Sequence, residues 1–359
     1  MFLAKTPAGR KPGKRVVTKG IRLVKFITQH WYEPDVKPAV VLSLLSALYQ
    51  KVIVKKRRDF LANKNKVYRA PVPVIVVGNI TVGGTGKTPV VIALSRYLTV
   101  QGYQVGVISR GYGGKSKTWP QEVCQDADPI IVGDEPALIK QHSACPVFVG
   151  PNRQADVEAL LKQYPETNVI ISDDGLQHYA LARDIEIAVI DSARMFGNQH
   201  LLPAGPLREP LSRLKEVDIQ LYNGKDIHSA SSGTFNMQLL PSSVYQLNHV
   251  ENQKNLADFS SQTVHAVAGI GHPQRFFNTL ESAGIQVIPH AFTDHHQYKA
   301  DDLLFAPDLP LLMTEKDAVK CQKFKLDNAW VVSVSAEFTP GFYEKLEELL
   351  KFPLNQLKR

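Results

Sequence analysis

A chain of 359 residues, 44% hydrophobic and 21% charged, holds enough apolar material for two domains or one large one, and 23 Gly with 23 Pro exclude collagen-like and low-complexity chains. Three cysteines, Cys124, Cys145 and Cys321, are odd in number and in no CxxC or CxxH spacing, which argues against a disulfide scaffold or structural zinc and for a reducing compartment. The net charge of +8 is unevenly placed: residues 1–69 carry 17 Lys/Arg against Glu33, Asp35 and Asp59, a net of +14, and the remainder carries 25 basic and 31 acidic residues, a net of −6.

In chain order, residues 1–20 read as a flexible basic tail. AVVLSLLSALYQ (39–50) follows, bordered by Lys37 and by Lys51, Lys55, Lys56, Arg57 and Arg58. Twelve residues with two Ser and a Gln are too few for a bilayer span, which needs about 20. An apolar helix with a cationic border suits the surface of an anionic membrane, and the alternative is a buried core helix with a solvated basic end. Aromatics interleave little with the basic run and no nucleic-acid module is visible, so a lipid surface is the expected anionic partner and nucleic acid is not.

VPVIVVGN (72–79) is a β-branched run that predicts a buried parallel strand. TVGGTGKTP (81–89) comes next, and VVIALSRYLTVQG (90–102) then places Val90, Val91, Leu94, Tyr97 and Leu98 at helical spacing. Strand, glycine loop and helix are the parts of a phosphate-binding loop. Gly83, Gly84 and Gly86 let backbone N–H groups turn toward phosphate oxygens, the helix start adds partial positive charge, Lys87 reaches the terminal phosphates and Thr88 offers a hydroxyl to Mg²⁺. The general pattern has Gly where this chain has Thr81. Alternation continues with a strand and glycine loop (104–114), a helix (155–163) and strands at 169–172 and 185–191. This predicts a parallel sheet with ligands at the strands' carboxyl ends, where Asp173 and Asp174 fall as candidate Mg²⁺ holders.

Other clusters leave two readings each. GDEP (133–136) is a source of a base or a helix cap, and GPLRE (205–209) a phosphate clamp or a surface ion pair. His178 is placed to orient a neighbour. HAFTDHHQY (290–298) packs three His and Asp294 into nine residues; adjacent side chains diverge, so one His aimed at the site or a satisfied surface His is favoured over a metal site. A Ser-rich stretch at 223–248 reads as a hairpin-like linker before a second α/β unit, with strands at 264–268, 285–292, 310–314 and 330–338 and a closing helix at 343–352.

The ordered stretches VGNITVGGTGKTP, VISRGYGG, GDEP, GPNR, DDGLQHYALARD, LLPAGPLREP, AGIGHPQRFF, FTDHHQY and MTEKDAVKC resemble the tetraacyldisaccharide 4'-kinase family. That family's loop itself begins with Ser or Thr, and His272 stands where Asn is more usual. The resemblance implies transfer of the γ-phosphoryl group of ATP to the 4'-hydroxyl of tetraacyldisaccharide 1-phosphate, with formation of lipid IVA. It implies nucleotide contacts from Thr81, Val82, Gly83, Gly84, Thr85, Gly86, Lys87 and Thr88, and Mg²⁺ held by Thr88, Asp173, Asp174 and Glu209. Asp134 resembles the family's base, His295 its dyad partner, Arg208 a catalytic cation, and Arg153 and His178 further site residues. The expected architecture is α/β: a membrane-associated helical segment (1–69), a P-loop NTPase-like parallel-sheet domain (70–222), a linker or hairpin (223–250) and a smaller C-terminal α/β domain (251–359). The expected location is the cytoplasmic face of the bacterial inner membrane, peripheral or monotopic. The contrasting expectation, a membrane-associated switch ATPase, would not need the LLPAGPLREP and DHHQY stretches.

Overall fold

The computed structural model describes residues 28–357 apart from 29, 34–36, 64–65, 225, 227–231 and 306–307. The basic tail at 1–20 lies outside the described residues.

Helix α1 runs from Val40 to Ala62, 23 residues rather than the apolar dozen, because the Lys/Arg-rich stretch after Gln50 is itself a good helix former and continues the turn. Ser46 is its buried residue, and Tyr49 and Ile53 pack on the domain beside it. Strand β1 (Val74–Gly78) is buried throughout. Helix α2 (Lys87–Val100) then lays Val90, Val91, Leu94 and Leu98 on the sheet. Strand β2 (Val105–Ser109) and the short β3 (Gln121–Glu122) precede α3 (Pro129–Val132) and α4 (Asp134–His142). After β4 (Val147–Val149), helix α5 (Arg153–Gln163) starts at Asn152, whose side chain accepts from the N–H of Gln154 and Ala155. Strands β5 (Val169–Asp173), β6 (Ile185–Asp191) and β7 (Ile219–Asn223) follow.

Strands β8 (Thr234–Gln246) and β9 (His249–Lys254) form an antiparallel hairpin, and β8 also pairs in parallel with β7 through residues 234–237. Then come β10 (Thr263–Ala268), α6 (Pro273–Ser282), β11 (Gln286–Ala291), β12 (Leu311–Thr314), α7 (Glu315–Cys321), β13 (Ala329–Phe338) and α8 (Phe342–Leu357). The strands form one mixed sheet in the order β11-β10-β12-β13-β8-β7-β6-β1-β5-β2-β4-β3, with β9 on β8. The long strand β8 is the seam, since its far end pairs antiparallel with β13. The closing helix returns to the first half: Phe342, Leu346 and Leu350 join the core of Ile75, Val77, Val90 and Leu94. The fold is α/β, and the carboxyl ends of β1, β5, β10 and β12 bring their loops to one place.

Candidate active site

The glycine loop joins β1 to α2. Gly83 and Gly86 have φ of +104° and +96°, where an L side chain is strained, and a Cβ on Gly86 would lie 2.5 Å from Asn223 Nδ2. The loop's entry is paired to another segment: Arg208 N–H donates to Ile80 O at 2.7 Å and Val82 N–H to Pro206 O at 2.8 Å. Three successive loop carbonyls are held by side-chain donors from outside. Asn79 Nδ2 reaches Gly83 O at 3.3 Å, Arg194 Nη2 reaches Gly84 O at 2.6 Å and Asn223 Nδ2 reaches Thr85 O at 2.9 Å. In a trans peptide the C=O and the following N–H point oppositely, so each bond aims the N–H of residue 84, 85 or 86 away from the donor. Thr81 is buried in a bridge with Leu207, and Val82 is half-buried.

Lys87 opens α2, is 8% exposed, and places Nζ 3.6 Å from Asp174 Oδ1. Thr88 beside it lines a cavity of about 210 Å³. Asp174 also takes Arg208 Nη1 on both oxygens, at 3.1 and 3.0 Å. Burial pushes its carboxyl up, but Lys87 and Arg208 outweigh this and hold it at about 2. Its neighbour behaves oppositely. Asp173 is wholly buried, and burial, with Glu135 and Asp174 adding like charge, pushes it up to about 7. Ser109 Oγ donates to its Oδ2 at 3.0 Å, while its Oδ1 is buried without a partner.

The second half supplies the facing wall. His295 Nδ1 lies 3.1 Å from Asp134 Oδ2, joining residues 161 positions apart. Asp134 sits in the first turn of α4 and is buried, and its carboxylate meets the His295 ring from the other half of the chain. Lys320 Nζ is 3.9 Å from the same oxygen and 2.9 Å from Asp317 Oδ1. Lys316 Nζ bridges Glu135 at 3.2 Å and Asp294 at 3.1 Å, and burial, which lowers its pKa, is outweighed by those two carboxylates, which raise it. Gly271 comes so close to the glycine loop that a Cβ there would lie 2.7 Å from Gly84 N. Asp174 and His295 both hold positive φ, +46° and +58°, an uncommon conformation for non-glycine residues that concentrates at working sites.

Three sequence candidates stand apart from this cluster. Glu209 turns inward, accepting from Gln177 Nε2 at 2.7 Å and from Tyr179 OH, with Arg213 Nε 3.5 Å away. Gln177 Oε1 in turn takes Arg208 Nη1 at 3.4 Å, so Glu209 stands behind Arg208. Arg153 is 2% exposed and donates to Gly150 O, Asp156 and Asp173 O. His178 is half-buried, and burial, with Arg153, Arg183, Lys56 and Arg110 around it, lowers it to about 4. Sequence reasoning passed over Arg194, Asn223, Lys316 and Lys320. The last two lie in MTEKDAVKC, a stretch that carries the resemblance but no assigned role, whereas Arg194 follows strand β6 and Asn223 ends β7, with no motif around them.

The family profile described as Tetraacyldisaccharide-1-P 4'-kinase (LpxK) matches residues 38–351. The chain is 49% identical over 326 residues to the tetraacyldisaccharide 4'-kinase of Ectopseudomonas mendocina (strain ymp), covering 90% of this chain and 96% of that protein. It is 47% identical over 326 residues to that of Pseudomonas aeruginosa (strain LESB58), covering 89% and 96%. The crystal structure of LpxK from Aquifex aeolicus in complex with ATP is similar with a TM-score of 0.70 and 28% identity, over 86% of this chain and 96% of that one. The switch-ATPase reading is thereby set aside. The chain belongs to the tetraacyldisaccharide 4'-kinase family, whose members transfer the γ-phosphoryl group of ATP to the 4'-hydroxyl of tetraacyldisaccharide 1-phosphate and so form lipid IVA.

Proposed function

We propose that the glycine loop is a P-loop that cradles the ATP triphosphate, and that Asp134 takes the proton from the acceptor hydroxyl. The observation that carries this reading is the meeting of Asp134 and His295 at 3.1 Å, with Glu135, the next residue, lining the same cavity as Lys87. Phosphoryl transfer depends on alignment and charge neutralisation more than on covalent chemistry. Lys87 and Arg208 would offset negative charge on the transferred group, and Asp174 fixes both cations before ATP arrives. A sugar hydroxyl is a weak nucleophile, so a carboxylate within hydrogen-bond reach is needed as its proton leaves. His295 orients that carboxylate, and Lys320 Nζ stands 3.9 Å from the same oxygen.

The residues fit a Mg²⁺ that arrives with the nucleotide. Asp173 has a buried oxygen without a partner beside further carboxylates, and Thr88 adds a hydroxyl. Among the described residues no three His, Cys, Asp or Glu converge as a self-sufficient metal cage, which accords with an ion that takes one or two carboxylates and phosphate oxygens. Thr88, Asp173 and Asp174 would hold it, and when bound it neutralises phosphate charge. Glu209, satisfied by its own neighbours, supports Arg208 instead.

The acceptor's acyl chains call for a membrane surface, and α1 supports one. Val40, Val41, Leu44, Leu48 and Val52 are exposed along one stripe, with Lys51, Lys55 and Lys56 following. Among the described residues no helix is long and apolar enough to cross a membrane. We read α1 as lying in the interface of the cytoplasmic leaflet, where ATP is available, with the basic end on anionic headgroups.

The deciding experiment uses γ-labelled ATP and tetraacyl disaccharide 1-phosphate. Asp134→Asn should lose label transfer to lipid while still binding a non-hydrolysable ATP analogue. Transfer at the wild-type rate would remove Asp134 from the mechanism, and loss of analogue binding would make it a nucleotide residue.

A further inference from the structure

We propose that Arg194 is a positioning residue for the nucleotide and that Tyr32 of the N-terminal segment holds it in place, so that ATP affinity depends on a segment far from the glycine loop in sequence. The proposal rests on the reading of that loop as the triphosphate cradle.

Arg194 follows β6, and Asp191 fixes its start. Asp191 Oδ1 accepts from the N–H groups of Ala193 and Arg194 at 3.0 and 3.1 Å, and Oδ2 takes Arg194 Nε at 3.0 Å. With one edge of the guanidinium held, Nη2 reaches Gly84 O at 2.6 Å. A rigid planar fork can serve both acceptors, whereas a lysine ammonium on a flexible stem cannot hold both in this geometry. The bond sets the peptide between Gly84 and Thr85, with its carbonyl on Arg194 and its N–H aimed the other way. Without it, the carbonyl is free to turn toward the phosphates and repel them.

The other side of Arg194 is covered from the N terminus. The Tyr32 ring lies 5.5 Å from the guanidinium carbon, and burial raises the phenol's pKa. The segment carrying Tyr32 is seated firmly. Trp31 is buried and donates from Nε1 to Pro203 O at 3.1 Å; Asn198 donates from N to Trp31 O at 2.7 Å and from Nδ2 to His30 O at 3.2 Å. Gly197, at φ +54°, lies against the Trp31 carbonyl where a Cβ would collide. The seat is the loop that ends in residues 206–208, the partners of Ile80 and Val82. Helix α1 reaches the same loop, with Ser46 Oγ donating to Leu201 O at 2.8 Å and Tyr49 OH to Arg208 O at 3.1 Å. The N-terminal region thus braces the glycine loop at its entry through residues 206–208 and at its middle through Arg194.

The test compares the full-length chain with Tyr32→Phe, Tyr32→Ala, Arg194→Lys and, as a control on the loop, Lys87→Ala. Titration with a non-hydrolysable ATP analogue gives Kd, and steady-state assays give KM for ATP and for the lipid acceptor separately. Tyr32→Phe keeps the ring and should match wild type. Tyr32→Ala should raise Kd and the KM for ATP roughly two- to fivefold. Arg194→Lys should raise both by roughly tenfold or more. The acceptor's KM should stay unchanged in all three. A wild-type analogue Kd in Tyr32→Ala, whether its melting temperature falls or not, would overturn the proposal, as would a rise confined to the acceptor's KM. If Lys87→Ala also bound and turned over normally, the loop assignment itself would fall, a result distinct from failure of the brace alone.

Discussion

The two walls of the active site are built by different means. On the first wall, glycine loop, β5 end and Arg208 are tied by backbone pairing and by donors fixed to the ends of neighbouring strands, so Lys87, Asp174 and Arg208 are set before any ligand arrives. The second wall, residues 269–275, 293–296 and 314–320, meets the first through a few side-chain bridges: His295 to Asp134, Lys316 to Glu135, and Arg275 Nη2 to Asn223 Oδ1 at 2.6 Å. The first wall is thus held by backbone pairing, whereas the second is registered on it by side chains, although β8 joins both in one sheet. Electrostatics follow the same division. Asp174 lies between two cations, Lys87 and Arg208, whereas Asp134 faces one histidine and a lysine at 3.9 Å.

The largest expected effects test whether each wall has its own task. Lys87→Ala removes a preset cation and should lower turnover by about 10²–10³; near-normal turnover in the label-transfer assay would break the division. Asp134→Asn should lower turnover by about 10²–10⁴, the span of general-base assistance, with analogue Kd unchanged. Lys316→Met leaves Glu135 and Asp294 facing each other without their cation. It should lower kcat/KM about tenfold, as for one lost charge-assisted contact of about 1.5 kcal/mol, without changing the far-ultraviolet spectrum.

Smaller effects sharpen the comparison. Leu44→Glu with Leu48→Glu should reduce sedimentation with anionic vesicles and leave analogue binding intact, since neither side chain faces the protein; unchanged sedimentation would detach α1 from the membrane reading. His178, which stands apart from both walls, offers a pH test of folding stability. Its pKa is lowered to about 4 from an ordinary 6.5, so between those values the unfolded chain binds more protons and folding stability falls as pH falls. The contribution is complete above about 6.5 and lost on passing through about 4. His178→Gln should flatten that part of a melting-temperature profile, and an unaltered profile would show that the ring is not held neutral by its surroundings.

Much of the first wall could be read from the chain itself, because its parts are local. A β-branched strand, a glycine turn and an amphipathic helix follow one another directly, and a strand ending in Asp173 and Asp174 delivers both to a known edge of the sheet. The second wall was legible only by resemblance. His295 and Lys320 come within 4 Å of Asp134 from a different half, and no periodicity encodes that approach. Arg153, Arg208 and Glu209 show the same limit. Arg208 and Glu209 read as charged candidates in one loop and Arg153 enters only by resemblance, yet Arg208 reaches Asp174 while Glu209, its neighbour, and Arg153 are buried in supporting contacts.

Composition and local order thus determined the element types, the parallel alternation, the glycine loop and the apolar–basic N terminus, since each depends on residues within a few turns of one another. Tertiary structure decided that β8 joins both halves in one sheet, that α8 returns to the first core, and that Tyr32 lies over Arg194. These depend on which surfaces meet after collapse, and the free energy of such contacts belongs to pairs that the chain holds far apart.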